Sequence, residues 1–148
     1  MTLDRGPGAG RIVAGIDGSP SSLAALEWAG RQAHLSGAVL EVVTTWEWPS
    51  SLGWAMPVPE EFDPEGDVRQ ALDAAIERIR AAYPGVTVEG RLVGGHPSPV
   101  LVEASKGAEL LVVGSRGHGE FVGMVLGSVS SYCAAHAHCP VLVHRPDS

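Results

Sequence analysis

The stretch GSRGHGEFVGMVLGSVSS, residues 114–131, places three glycines at the spacing G-x2-G-x9-G-S: Gly114, Gly117 and Gly127, the last followed by Ser128. A short apolar run precedes it and a helical pattern follows. The chemistry such a segment can perform is the holding of phosphate. Glycine lets main-chain N–H groups approach an anion closely and tolerates positive φ. A helix that starts where the loop ends adds first-turn N–H donors and the positive end of its dipole. On this reading the amides around Gly117 and Gly127 wrap the phosphates, Ser128 and Ser130 add hydroxyls, and Arg116 supplies the one fixed positive charge of the loop. Spacing alone leaves a second reading open, a long surface loop whose glycines only turn the chain.

Other phosphate and acyl-transfer motifs are excluded by counting. A P-loop needs G-x4-G-K-[ST], and Lys106, the sole lysine, lies outside any such frame. A dinucleotide fingerprint needs G-x-G-x-x-G directly after the first strand, where this chain reads GIDGSPSS; Gly117, Gly119 and Gly123 are one residue too long. The nucleophile elbow G-x-S-x-G is absent.

Asp17 follows a strand-like run, so it is either a turn former or a ligand to a phosphate-bound metal. Mg2+ keeps several waters and joins one or two carboxylates to phosphates, so a single Asp suffices; Glu120 is the one further carboxylate in reach. No residue stands out as a base to position water, which points to binding with turnover slow or absent. Cys133, His136, His138 and Cys139 lack zinc-site spacing and read better as a buried thiol and exposed histidines. His118 lies within the loop, where it either touches phosphate or faces solvent. Trp46, Trp48 and Trp54 sit among prolines in 46–63, as core residues or as an ordered flap.

The elements that must position these groups follow from periodicity. RIVAGID (11–17) has the length of a buried strand. Ser19 caps and Pro20 starts a helix with Leu23, Leu26, Ala29 and Ala33 on one face, stopped by Gly37. AVLEVVTTW (38–46) is a second strand. Asp63 and Pro64 open a helix with the face Val68, Leu72, Ala75 and Ile79, ended by Pro84-Gly85. VTVEGRLV (86–93) alternates partially, as a strand near a sheet edge does. A short helix covers 97–106, and AELLVVGS (108–115), the most hydrophobic strand, is expected at the centre. A helix from Ser128 to about Ala137 and the strand in CPVLVHRP complete the chain. Strict alternation of strand and helix predicts a three-layer α/β/α sandwich with a five-stranded, mostly parallel sheet. Any ligand then sits at the carboxyl ends of the strands, near the switch point, reached by the turn after Asp17 and the loop after Gly114.

With 148 residues, 45% apolar and 18% charged, the chain suits a single domain, 1–148, with 1–10 expected as a flexible N-terminus. A formal net charge of −7 argues against a nucleic-acid surface. No apolar run approaches the roughly 20 residues that span a bilayer, and MTLDRGPGAG does not read as a signal peptide. Two cysteines are too few for a disulfide scaffold, so the expected compartment is the reducing cytoplasm.

Taken in order, IVAGIDGSPSS, SPVLVEASKGAELLVVGSRGHG with the G-x2-G-x9-G-S spacing, and CPVLVHRP resemble the ATP-binding branch of the universal stress protein family over roughly residues 10–145. The resemblance implies a Rossmann-like, adenine nucleotide alpha hydrolase-like fold that holds ATP with Mg2+ or Mn2+ at the strand ends. It implies that Gly15 and Ile16 border the base, that Asp17 sits by the ribose or the metal, and that the main chain at Thr45 reads adenine. Gly114, Arg116 and Gly117 would line ribose and phosphates, with Gly127, Ser128 and Val129 around the phosphate tail. The second strand departs from the commonest form, TTW replacing a histidine-containing ending. The resemblance also implies a homodimer through strand 140–144, and an apolar edge strand needs such cover. The function expected is nucleotide-dependent regulation in a stress response, with a slow ATP phosphohydrolase and a nucleotide-free dimeric interaction module as alternatives.

Overall fold

The computed structural model describes residues 10–47, 63–116 and 126–146. Strand and helix alternate as β1 (Arg11–Gly15), α1 (Pro20–Ser36), β2 (Val39–Trp46), α2 (Pro64–Ala82), β3 (Val88–Gly94), α3 (Pro97–Ala104), β4 (Leu110–Gly114), α4 (Ser128–His136) and β5 (Val141–His144). Among these residues no helix is long and apolar enough to cross a membrane.

Helix ends follow local chemistry. Ser19 caps α1, its Oγ accepting from Ser22 N at 3.2 Å, with Pro20 at the first position. Gly37, at φ 78°, closes the helix by donating to Ala33 O at 2.9 Å; a side chain there would be strained. Asp63 caps α2 through Gly66 N at 3.0 Å, and Glu65 and Asp67 in the first turn and Arg80 in the last complement the dipole. The buried stripe of α2 is Leu72, Ala75, Ile76 and Ile79. Val68 is only half-buried, so the stripe begins one turn later than the sequence pattern suggests.

The strands pair in the order β3-β2-β1-β4-β5, every pairing parallel. The chain therefore winds outward through β2 and β3, then crosses back to lay β4 and β5 on the other side of β1. This corrects one expectation: the central strand is β1, and β4 lies beside it. Hydrophobicity reports coverage of both faces, which β1 and β4 share, and cannot rank two strands that are both interior.

Alternate side chains feed two cores. Ile12 and Ala14 of β1, with Leu40, Val42 and Val112, pack against Ala25, Leu26 and Ala29 of α1 and the stripe of α2. Val13, Val43, Leu111 and Val113 face the other way onto Leu101 and Ala104 of α3 and Cys133 of α4. Glu41 shares that second face, where its Oε1 meets Arg11 Nη1 at 3.2 Å and Arg91 Nη1 at 3.4 Å. Arg11 also donates to Ala104 O at 3.1 Å and Lys106 O at 2.8 Å, fastening the end of α3 to the sheet. Ser105, fully buried, donates to Val102 O at 2.6 Å and accepts from His138 N at 2.9 Å, joining α3 to the turn before β5.

Gly114 shows why its position needs glycine: a Cβ there would lie 2.7 Å from Ser21 Oγ and 2.9 Å from the Ser21 main chain. The start of α1 thus rides directly on the end of β4. Gly114→Ala is expected to cost about 1–3 kcal/mol through overpacking. Gly85→Ala, which meets nothing within 4 Å, should leave stability nearly unchanged; paired denaturant titrations check the contrast. Burial pushes the Cys133 thiol up to about 11, and Cys139, half-exposed, is raised mainly by burial, with Arg11 pulling the other way. A thiol reagent at pH 8 should therefore modify Cys139 first, with Cys133 reacting only on denaturation. Equal labelling of the two in native protein, read by peptide mass, would contradict this packing.

Candidate functional site

The β1–β4 boundary is where the winding direction reverses, and the connections leaving the two strands part there. A cleft opens at this point, across the carboxyl ends of β1, β2 and β4. Nine of the eleven residues singled out from the sequence line it. Gly15, Ile16 and Asp17 come from the end of β1 and Thr45 from β2. Gly114 and Arg116 come from the end of β4, and Gly127, Val129 and Ser130 from the start of α4. Ser128 is the first, exposed residue of α4 and is not part of the lining. Gly117, His118, Glu120, Trp48 and Trp54 lie outside the described residues. Trp46 ends β2 alongside Gly94, and its carbonyl accepts from Gly95 N at 2.9 Å.

The inner end of the cleft is the second core itself. Val43, Val113 and Leu101, exposed by 1%, 3% and 4%, are at once core residues and cleft lining, and Pro97 adds to the wall. Sequence reasoning missed these four, together with Ser22 and Thr44. Val43 was accessible to it, because it lies two residues before Thr45 on the same face of β2. Pro97 and Leu101 were not, since only the crossover from β3 to β4 carries their helix over the end of β1. Gly15 is bare for that reason: a Cβ on it would fall 2.7 Å from Leu101 Cδ1.

The outer end is polar. Asp17 Oδ1 accepts from Ser19 N at 2.9 Å, and Asp17 N donates to Ser22 Oγ at 3.2 Å, so this residue forms the turn into α1 while its carboxylate stays at the exposed rim. Arg116 is exposed at the end of β4, and its main-chain N–H lies 3.5 Å from Ser21 Oγ at the start of α1.

The stretch between 116 and 127 is tied at its ends. Gly127 N donates to Ser115 O at 2.6 Å, and Ser130 Oγ reaches Ser115 O at 3.2 Å and Gly127 O at 3.1 Å. Ser115 N in turn donates to His144 O at 2.9 Å, so the knot is anchored in β5. The Ser130 hydroxyl is buried and directed to main-chain carbonyls. At the start of α4 the N-cap is Gly127, with no side-chain cap, whereas Ser19, Asp63 and His96 cap the other three described helices.

Among the described residues no three His, Cys, Asp or Glu side chains gather as a metal site. Cys133 is core, and the His136 ring stacks on Tyr132 with centroids 4.4 Å apart.

Comparison with known proteins agrees with this fold. A universal stress protein of Mycolicibacterium smegmatis is 38% identical over 138 residues, covering 91% of this chain and 45% of the relative. The chain spans about half the length of the curated relatives it matches. Among solved structures, a universal stress protein from Lactobacillus plantarum superposes with TM-score 0.77 at 22% identity, over 92% of this chain and 97% of the other. A universal stress protein in complex with cAMP superposes with TM-score 0.69 at 32% identity, over 91% and 96%. The sequence profile of the universal stress protein family matches residues 8–145, and with the parallel 3-2-1-4-5 sheet this shows that the chain belongs to that family.

Proposed function

We propose that the cleft binds an adenine nucleotide, ATP in the first instance, and that occupancy regulates what the protein contacts in a stress response. The observation that carries the reading is a juxtaposition. One cleft has an apolar floor of Val43, Val113 and Leu101 at its inner end and, at its outer end, the start of a helix that no side chain caps. A nucleotide has the matching asymmetry, an apolar planar base and a polyanionic tail. The base lies on the floor with its edge toward the main chain at Thr45. The phosphates meet the first turn of α4, with Arg116 adding the fixed charge. The related protein in complex with cAMP supports adenine as the base.

Asp17 would be the carboxylate that holds Mg2+ or Mn2+ at this rim, and a single one suffices because a hard cation of this kind keeps several waters; the metal would neutralise phosphate charge. The described lining offers no histidine, and Asp17 is its only carboxylate. The proposal is binding with turnover slow or absent, and sustained phosphate release from Mg-ATP would overturn that part of it.

The same reading includes a homodimer through residues 140–144, in the cytoplasm. Pro140 O and His144 O accept from Leu111 N of β4 and from Ser115 N just beyond it, so the alternation of a strand turns the main-chain groups of Val141 and Val143 to the open side. A second copy pairing there would cover the edge.

Calorimetry with Mg-ATP tests the site. Arg116→Ala should weaken binding roughly tenfold, as loss of a charge-assisted hydrogen bond does. Ser130→Ala should weaken it about fivefold by loosening the Ser115 knot, with the fold retained. Folded wild-type protein giving no heat with ATP, ADP, AMP or cAMP would overturn the reading. For the dimer, Val143→Pro removes an outward N–H, and light scattering should then report a monomer with unchanged circular dichroism; a persisting dimer argues for another surface.

A further inference from the structure

The wall that α3 contributes to the cleft has a shape consequence. We propose that Leu101 is the gauge of the base pocket: its side chain fills the space over the bare main chain of Gly15 and so sets how deep the inner end of the cleft runs, admitting an unsubstituted planar base while rejecting one with a bulky ring substituent. The proposal rests on the nucleotide reading above and names what sets its ligand selectivity.

Three observations support it. Leu101 is 4% exposed yet lines the cleft, and its two methyls stand 2.7 and 2.9 Å from where a Gly15 Cβ would be, so the leucine fills the volume that any larger residue at 15 would take. The neighbouring apolar groups of the floor, Val43 and Val113, sit on the sheet strands β2 and β4, where paired backbones hold them in place. The helix that carries Leu101 is capped at its start and fastened to β1 at its finish. His96 Nδ1 accepts from Ser98 N at 3.2 Å at its start, while Arg11 binds the carbonyls of Ala104 and Lys106 at its finish. Pro97, four residues before Leu101, lines the cleft from the same face of α3. A close-packed interior of this kind does not stretch to admit added volume, so the depth of the inner end is a fixed dimension of the site.

The test is a selectivity ratio, which a merely structural role would not move. Dissociation constants are measured for ATP and for N6-benzyl-ATP, 2-phenylamino-ATP and 8-benzylamino-ATP, with wild-type protein and with Leu101→Ala. Wild type should prefer ATP over every substituted nucleotide. Leu101→Ala should bind ATP several-fold more weakly and at least one substituted nucleotide tenfold or more tightly than wild type does. Because truncation of a core leucine threatens folding, Leu101→Val serves as a milder second variant and should shift the same ratio in the same direction by a smaller factor. Wild type that binds ATP, with a ratio left within twofold by both variants, would overturn the gauge alone. Wild type that binds no adenine nucleotide would overturn the nucleotide reading and the gauge with it.

Discussion

Parallel pairing of β1 with β4, in the register Ile12–Leu110, Val13–Leu111 and Ala14–Val112, is the constraint on which the rest of the molecule depends. Parallel neighbours cannot be joined by a tight turn, so each connection must leave the sheet and return through a helix. The chain fills one side of β1 first and the other side second. The connections from β1 and β4 therefore diverge to opposite faces, with α1 on one and α4 on the other. The gap they leave at the carboxyl edge is the cleft. It requires no dedicated domain, only two adjacent strands whose crossovers part company.

Close approach of elements shapes that gap. α1 rides on Gly114 through Ser21, α3 sits over Gly15 through Leu101, and the start of α4 is drawn to Ser115 by two hydrogen bonds. The two glycines owe their positions to neighbouring side chains and main chain, and neither has a positive φ. Their smallness serves packing, and the open main chain at the cleft is a by-product of the same requirement. Residues that read as ligand contacts can thus be structural necessities too, and Asp17, which both builds a turn and stands at the rim, is another instance.

The strategy for a polyanion proposed here relies on main-chain amides and one arginine in a chain with a single lysine and an overall charge of −7. Amides at a helix start are fixed in direction by the backbone and need no side-chain ordering, so little rotamer entropy is lost when a ligand arrives. A flexible ammonium would have to be immobilised at each binding event. The knot around Ser115 supplies comparable fixity at the neck of the loop, where Gly127 and Ser130 hold one carbonyl from two directions.

The alternation of short β-branched runs with capped, stripe-bearing helices made the architecture legible in the primary chain. So were most of the helix boundaries, because Ser19, Asp63 and Gly37 act within one turn of themselves. The glycine spacing and Asp17 marked the rim of the cleft for the same local reason. Other features needed the folded chain. That β1 rather than β4 lies at the centre depends on which strand pairs with which, and burial on two faces looks alike in both. That Leu101 and Pro97 reach the cleft depends on a helix crossing from β3 to the far side of β1, and nothing within α3 encodes that distance. Periodicity and capping are interactions between near neighbours in the chain and can be read there, whereas the floor of the cleft and the fit of Leu101 over Gly15 arise between residues 86 positions apart, whose meeting only the sheet order decides.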